Sequence, residues 1–279
     1  MEIENPKNAE EFFKKTHETL EKDEVKGNLI FGLANNLIKN KNQFGNDDPF
    51  YSIIYNENII KIIGLMTLPH PINIFQNCNY DDHSMNKFIN NIAEHYSDIP
   101  GINGEKKISE IFIEKWIKIN KCKIILDKNL RCYKLEKVNN YNKPAGKFRK
   151  AEIFDIDIIK EFTLKFSEEI NDPVKEGIKL MNTITENIND GLYYVWENNN
   201  IVSIAKKARP TKNGMAINSV YTPKEYRQKG YATAVVAELS RTILNSGKKF
   251  CTLFTDLANP TSNSIYQKIG YKIEFDNIR

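Results

Sequence analysis

The chain has 279 residues, 41% of them hydrophobic, and a formal net charge of +4. That length can build two domains or one large one. A charge so slight, with no block dense in lysine and arginine, argues against nucleic acid as a partner but is compatible with a phosphate-rich ligand. Cys78, Cys122, Cys132 and Cys251 show neither metal-ligand pairing nor a disulfide framework, and the four histidines are scattered, so no metal is expected and a reducing cytoplasm is the default. The first residues carry no apolar leader and no segment approaches a membrane span, so no membrane partner is expected.

Helical spacing of apolar residues marks 8–21 and 25–38. Two β-rich runs, 51–55 and 59–66, flank the turn Asn56-Glu57-Asn58 and read as a hairpin. A strand at 72–75 precedes a helix around 85–96. A helix over 105–119 places Ile108, Ile111, Phe112 and Trp116 on one side, and 130–138 closes this half as a strand. Residues 139–146 are polar and hold both Pro144 and Gly146, which makes them the best domain boundary. Beyond them come helices at 153–166 and 174–188, then runs at 192–196 and 201–205 around a turn of Glu197 and three asparagines. A strand at 216–222 passes through a basic turn into a helix that ends near Gly247, and 250–255 is again a strand. A short helix over 259–270 leaves residues 271–279, room for one strand. The two halves read as weakly similar repeats.

The basic turn is the most informative stretch. Val220, Tyr221 and Thr222 lead into Arg227, Gln228, Lys229, Gly230, Tyr231, Ala232 and Thr233. Ala232, Val235, Val236, Leu239 and Ile243 recur at three- and four-residue spacing and give the following helix one apolar face. Its N-terminus leaves backbone N–H groups unpartnered at the positive end of the helix dipole. Gly230 lets a ligand come close, and Arg227 and Lys229 add charge, as a diphosphate requires. Alone, such a turn is as readily a solvated cap. A second element follows, in which Asn259 suits the N-cap, Pro260 the first helical turn and Gly270 the stop. A dinucleotide-binding turn needs three glycines where this one has a single glycine, and no Walker-type loop is present.

Arg227, Gly230 and Ala232 in the first element, with Asn259, Ser262, Tyr266, Gly270 and Tyr271 in the second, resemble the GNAT superfamily of acyl-CoA-dependent N-acetyltransferases. The likeness covers about the last half of the chain. It implies an α/β (α+β) fold in which a mixed, mostly antiparallel sheet is flanked by helices and two parallel neighbours splay to admit an acyl-pantetheine arm. Two tandem copies are expected, a degenerate GNAT-like domain at 1–142 and a catalytic one at 147–279. The resemblance further implies acetyl-CoA as co-substrate, held by Val220, Tyr221, Thr222, Arg227, Gln228, Lys229, Gly230, Tyr231, Ala232, Thr233, Asn259 and Ser262. Tyr266 is then the general acid for the departing thiolate, a backbone N–H near Tyr221 polarises the thioester, and the acceptor is a primary amine of a small molecule or peptide. The general base stays open between Glu168, Glu169, Asp172 and a water chain. The alternative is a non-catalytic acyl-CoA-binding regulatory protein; either form is expected as a monomer or homodimer.

Where the second half has Arg227 to Ala232, the first has Asn79 to Ser84, with Asp81 and Asp82. Two carboxylates at a helix start make good caps but repel a diphosphate. The 105–119 helix has no tyrosine to match Tyr266. The family usually ends in a two-strand hairpin, so residues 131–137 or a neighbouring subunit are expected to supply a missing strand.

Overall fold

A computed structural model describes every residue except Pro173 and Lys175. The first half runs β1 (Glu2–Glu4), α1 (Ala9–Lys22), α2 (Glu24–Lys39), β2 (Phe50–Asn56), β3 (Ile59–Met66), β4 (Ile72–Gln76), α3 (Asp82–His95), β5 (Ile102–Glu105), α4 (Lys106–Ile119) and β6 (Asn129–Leu135). The second runs β7 (Lys147–Lys150), α5 (Ile156–Glu169), α6 (Ile178–Asn189), β8 (Tyr193–Asn198), β9 (Asn200–Ala208), β10 (Gly214–Tyr221), α7 (Tyr231–Asn245), β11 (Phe250–Asp256), α8 (Pro260–Ile269) and β12 (Lys272–Ile278). The order strand, two helices, three strands, helix, strand, helix, strand therefore occurs twice, once on each side of residues 139–146.

Three strands escaped the sequence reading. β1, β5 and β7 have three or four residues each, too few to show a period of two. The helix expected from residue 174 starts at Ile178. Val174 lies outside it, and Lys175 lies outside the described residues.

The chain forms two compact units. One comprises Met1–Cys132, Asp256–Ala258 and Glu274–Arg279; the other comprises Tyr133–Thr255 and Asn259–Ile273. In the first unit the strand order is β1-β2-β3-β4-β5-β12-β6. The β4–β5 pair is parallel, and β12 runs antiparallel to β5 with Asn277 opposite Glu105. Alternation along β2 sends Tyr51 and Ile53 to one face, with Phe12, Leu20 and Ile30 of α1 and α2, and Phe50 and Ile54 to the other, with Phe88, Phe112 and Trp116 of α3 and α4.

The second unit repeats the plan with the order β6-β11-β10-β9-β8-β7, its share of β6 being Tyr133 to Leu135. The strand wanted to complete this sheet thus comes from within the 131–137 segment. Tyr193 and Val195 of β8 face α5 and α6, while Tyr194 and Trp196 face the core under α7 and α8. Val235, Val236, Leu239 and Ile243 of α7 are fully buried there. Each contributes about 1.5–3 kcal/mol of apolar burial, which fixes the helix and so the turn that precedes it. Among the described residues no helix is long and apolar enough to cross a membrane.

Candidate acyl-donor site

In the second unit β10 and β11 are parallel neighbours, paired from Gly214 opposite Phe250 to Ala216 opposite Thr252. There the ladder stops, although both strands continue, β10 to Tyr221 and β11 to Asp256. A parallel pair opens here as the resemblance implied. On its other side β10 is bulged between Asn218 and Tyr221, and Ser219 takes a left-handed φ of 49°. A bulge leaves one residue out of the ladder, so this stretch of backbone is available to something other than β9. Its far end is pinned. The Ser203 hydroxyl donates to the Tyr221 carbonyl at 3.1 Å and lies 2.8 Å from the Thr222 hydroxyl.

After β10 a short helical turn, Lys224–Tyr226, leads to Gln228 and Gly230, at φ 62° and 83°. Gly230 is the N-cap of α7, and no side chain caps that helix. Gly230 is exposed, and a Cβ placed on it would lie in ordinary contact with Pro144 at 3.9 Å. Glycine is needed for the positive φ, which costs other residues about 1–2 kcal/mol. The backbone N–H groups of Tyr231, Ala232 and Thr233 form the first turn, while the Tyr231 side chain is buried and its hydroxyl accepts from Asn198 at 2.8 Å. Lys229 is exposed and donates to the Glu225 carbonyl at 3.2 Å.

Arg227 is already engaged. Its Nε donates to the Thr222 carbonyl at 2.9 Å, and its Nη2 reaches both oxygens of Glu169, the last residue of α5, at 2.8 and 2.7 Å. The Tyr221 hydroxyl donates to the same carboxylate at 3.3 Å. The structure therefore ties Glu169, one of three candidate bases, to the arginine expected to hold phosphate. Nothing in the sequence pairs residues 58 positions apart. The Tyr221 side chain packs against Phe162 and Phe166 of α5, so only its backbone is left to the gap.

On the opposite face, α8 begins at Asn259, whose side-chain oxygen accepts from the Ser262 N–H at 3.0 Å. Asn259 is the N-cap the sequence suggested, and its oxygen is spent on that bond. Tyr266 is buried, its ring 6.3 Å from that of Tyr133 and 6.0 Å from that of Tyr271. Burial pushes its phenol well above the ordinary value of 10, so it is protonated at every physiological pH. Tyr133 is a neighbour that the sequence reading missed; its hydroxyl donates to Asn263 at 2.9 Å.

The corresponding place in the first unit is filled by its own side chains. Asp81 caps α3, accepting from the Ser84 N–H at 2.7 Å and the Ser84 hydroxyl at 2.6 Å, and Asp82 pairs with Lys115 at 2.7 Å. At the parallel pair β4–β5, Asn103 donates to Asn73 at 2.8 Å and its carboxamide lies 2.7 Å from that of Asn277.

Residues 202–279 match the family described as FR47-like protein. A comparison with curated proteins found no match. Among solved structures, an acetyltransferase of the GNAT family from Colwellia psychrerythraea superposes with a TM-score of 0.63 at 9% identity, covering 100% of this chain and 98% of that one. A GCN5-related N-acetyltransferase from Sphaerobacter thermophilus gives 0.63 at 10% identity, covering 93% and 90%, and a Drosophila protein gives 0.67 at 9% identity, covering 99% and 97%. At such identities the likeness is one of fold. The chain has the fold of the GNAT acetyltransferases along its length, and the FR47-like match falls in the half that holds the opened strand pair and the uncapped helix.

Proposed function

We propose that the protein is an N-acetyltransferase that uses acetyl-CoA and a primary amine of a small molecule or peptide, with residues 147–279 as the catalytic copy and 1–142 as a copy without a donor site. The observation that carries this reading is the conjunction, in one unit, of a parallel pair that opens beyond Ala216 and an exposed helix start at Gly230 with no side-chain cap. These residues fit the donor. Val220, Tyr221 and Thr222 offer backbone groups to an extended arm in the manner of an added strand. Arg227, Gln228, Lys229 and Gly230, with the N–H groups of Tyr231, Ala232 and Thr233, suit a diphosphate, and the pairing of Arg227 with both oxygens of the Glu169 carboxylate supports this reading. Asn259 and Ser262 border the same gap in this reading.

Acetyl-CoA supplies an acyl carbon activated as a thioester. The chain supplies the rest. The bulged backbone at Ser219 to Tyr221 provides the N–H that polarises a carbonyl. Tyr266 holds a proton for a departing thiolate, and holding the two reactants side by side provides much of the acceleration.

The test is calorimetric titration with acetyl-CoA together with thiol release over a panel of amines. Binding with amine-dependent release is the expected result. Binding without release across the panel would favour the acyl-CoA-binding regulatory protein, and no binding would overturn both.

A further inference from the structure

We propose that Lys206, on β9, is the base that takes the proton from the acceptor's ammonium group; the assignment rests on the acyltransferase reading above. A base is needed because an aliphatic amine is protonated near neutral pH and has then no lone pair to attack with. Glu169 is placed for another task, because its carboxylate sits against Arg227, the side chain assigned here to the donor's diphosphate, and accepts from the Tyr221 hydroxyl.

Lys206 lies between Tyr193 of β8 and Asn218 of β10. Asn218 is two residues beyond Ala216, where the β10–β11 ladder ends, and it immediately precedes the bulged Ser219. The backbone of the lysine is thus one strand spacing, about 4.8 Å, from the strand that opens. It faces α5 and α6, as do Tyr193, Ile204 and Tyr221, whereas Tyr266 lies in the core under α7 and α8. Acid and base on opposite faces of an opened sheet is the arrangement for an amine that enters on one side while a thiolate leaves toward the other.

The surroundings of Lys206 are unusual for a lysine. The side chain is half-buried, and among the described residues no carboxylate pairs with it; its Nζ lies 5.4 Å from the centre of the Tyr193 ring. Its neighbour Lys207 differs, donating to the Tyr194 hydroxyl at 2.9 Å on the other face. Burial pushes the Lys206 amine down to about 8, and the charge of Arg209 pushes in the same direction. Tyr193, whose phenol burial instead pushes up, is the titratable ring beside it and stays neutral. A buried ammonium with no counter-ion readily gives up its proton, and an amine poised near working pH is what general base catalysis favours. The step balances as follows. One ammonium proton moves to Lys206 Nζ, and the freed lone pair forms the N–C bond to the acyl carbon. The C–S bond then breaks with its electron pair on sulfur, which takes the Tyr266 proton. The attacking nitrogen sheds its second proton as the amide forms, which through solvent restores Tyr266, and Lys206 afterwards loses its proton to water.

The test uses the full chain with Lys206→Met and Lys206→Arg. The rate at which an amine-reactive reagent labels Lys206 in the native protein, followed against pH by peptide mass spectrometry, should show a midpoint near 8. A midpoint near 10, as for an unperturbed lysine, would overturn the proposal. Acetyl-CoA affinity by calorimetry should stay within about twofold in both variants, while kcat falls by about 10²–10⁴ and the acid limb of the pH profile disappears. Arginine keeps the charge without releasing a proton, so wild-type turnover in Lys206→Arg would reduce Lys206 to a structural cation. Labelling requires no turnover, so failure of the acyltransferase reading would appear separately, as absence of acetyl-CoA binding by the wild-type protein.

Discussion

Replacing Glu169 with glutamine should tighten coenzyme A binding. The carboxylate occupies the Arg227 guanidinium at 2.7 and 2.8 Å, so a diphosphate has to displace it. The two side chains are 35% and 40% exposed, which places the pair among solvent-screened ion pairs worth about 0.2–1 kcal/mol. Removing the competing charge releases at most that amount, so the dissociation constant should fall by no more than about fivefold. Arg227 keeps its bond to the Thr222 carbonyl at 2.9 Å and so stays oriented. Calorimetric titration of coenzyme A into both proteins at low and high salt measures the effect, which should shrink as salt screens the pair. Unchanged or weaker binding in Glu169→Gln at low salt would show that Arg227 does not meet the diphosphate, and the cradle would have to be drawn elsewhere.

Tyr266→Phe keeps the ring contacts with Tyr133 and Tyr271 and removes only the hydroxyl; kcat should fall by about 10²–10⁴ with coenzyme A affinity unchanged, as read by stopped thiol-release assays and calorimetry. Gly230→Val puts a β-branched side chain at φ 83° beside Pro144 and over the exposed start of α7, so the protein should lose about 1–2 kcal/mol of stability in urea titrations and bind coenzyme A more weakly. Asp155 is pushed up by burial, but Arg149, at 2.6 and 3.0 Å, and the Glu152 N–H outweigh this and hold its carboxyl below the usual range. A depressed folded value gives stability that is present above the unfolded pKa and is lost as pH falls through the folded one, so this contribution should begin to decline at about pH 4 and be gone only below the depressed folded value. Asp155→Ala should accordingly cost about 3–5 kcal/mol near neutral pH and less in acid, by urea titration at both.

The sequence disclosed what depends on neighbours along the chain. Gly230 and Gly270 were legible because left-handed positions next to helices select glycine, and Asn259 because a carboxamide three residues before its target N–H is a cap. Asp81 was legible as the cap of α3 for the same reason. The opening of β10 from β11 came only with the family likeness, since no side-chain pattern states where a ladder ends. Contacts between distant positions were invisible. Glu169 with Arg227 and Tyr133 with Tyr266 are juxtaposed by packing, and Lys206 reads in the sequence as one of two adjacent lysines on an amphipathic strand. That no carboxylate among the described residues pairs with it is a property of the enclosure and not of the segment.

The membership of the two units has a consequence for biosynthesis. The first unit includes Glu274–Arg279, with Asn277 aligned against Glu105 in β5, and the second includes Tyr133 to Leu135. Neither unit is one uninterrupted stretch of chain. During translation the first unit lacks a strand until residues 274–279 have left the ribosome, so β5 must wait with an open edge through the synthesis of about half the protein. A chain cut within residues 139–146 should yield an N-terminal fragment that aggregates by itself and recovers solubility when the other fragment is co-expressed.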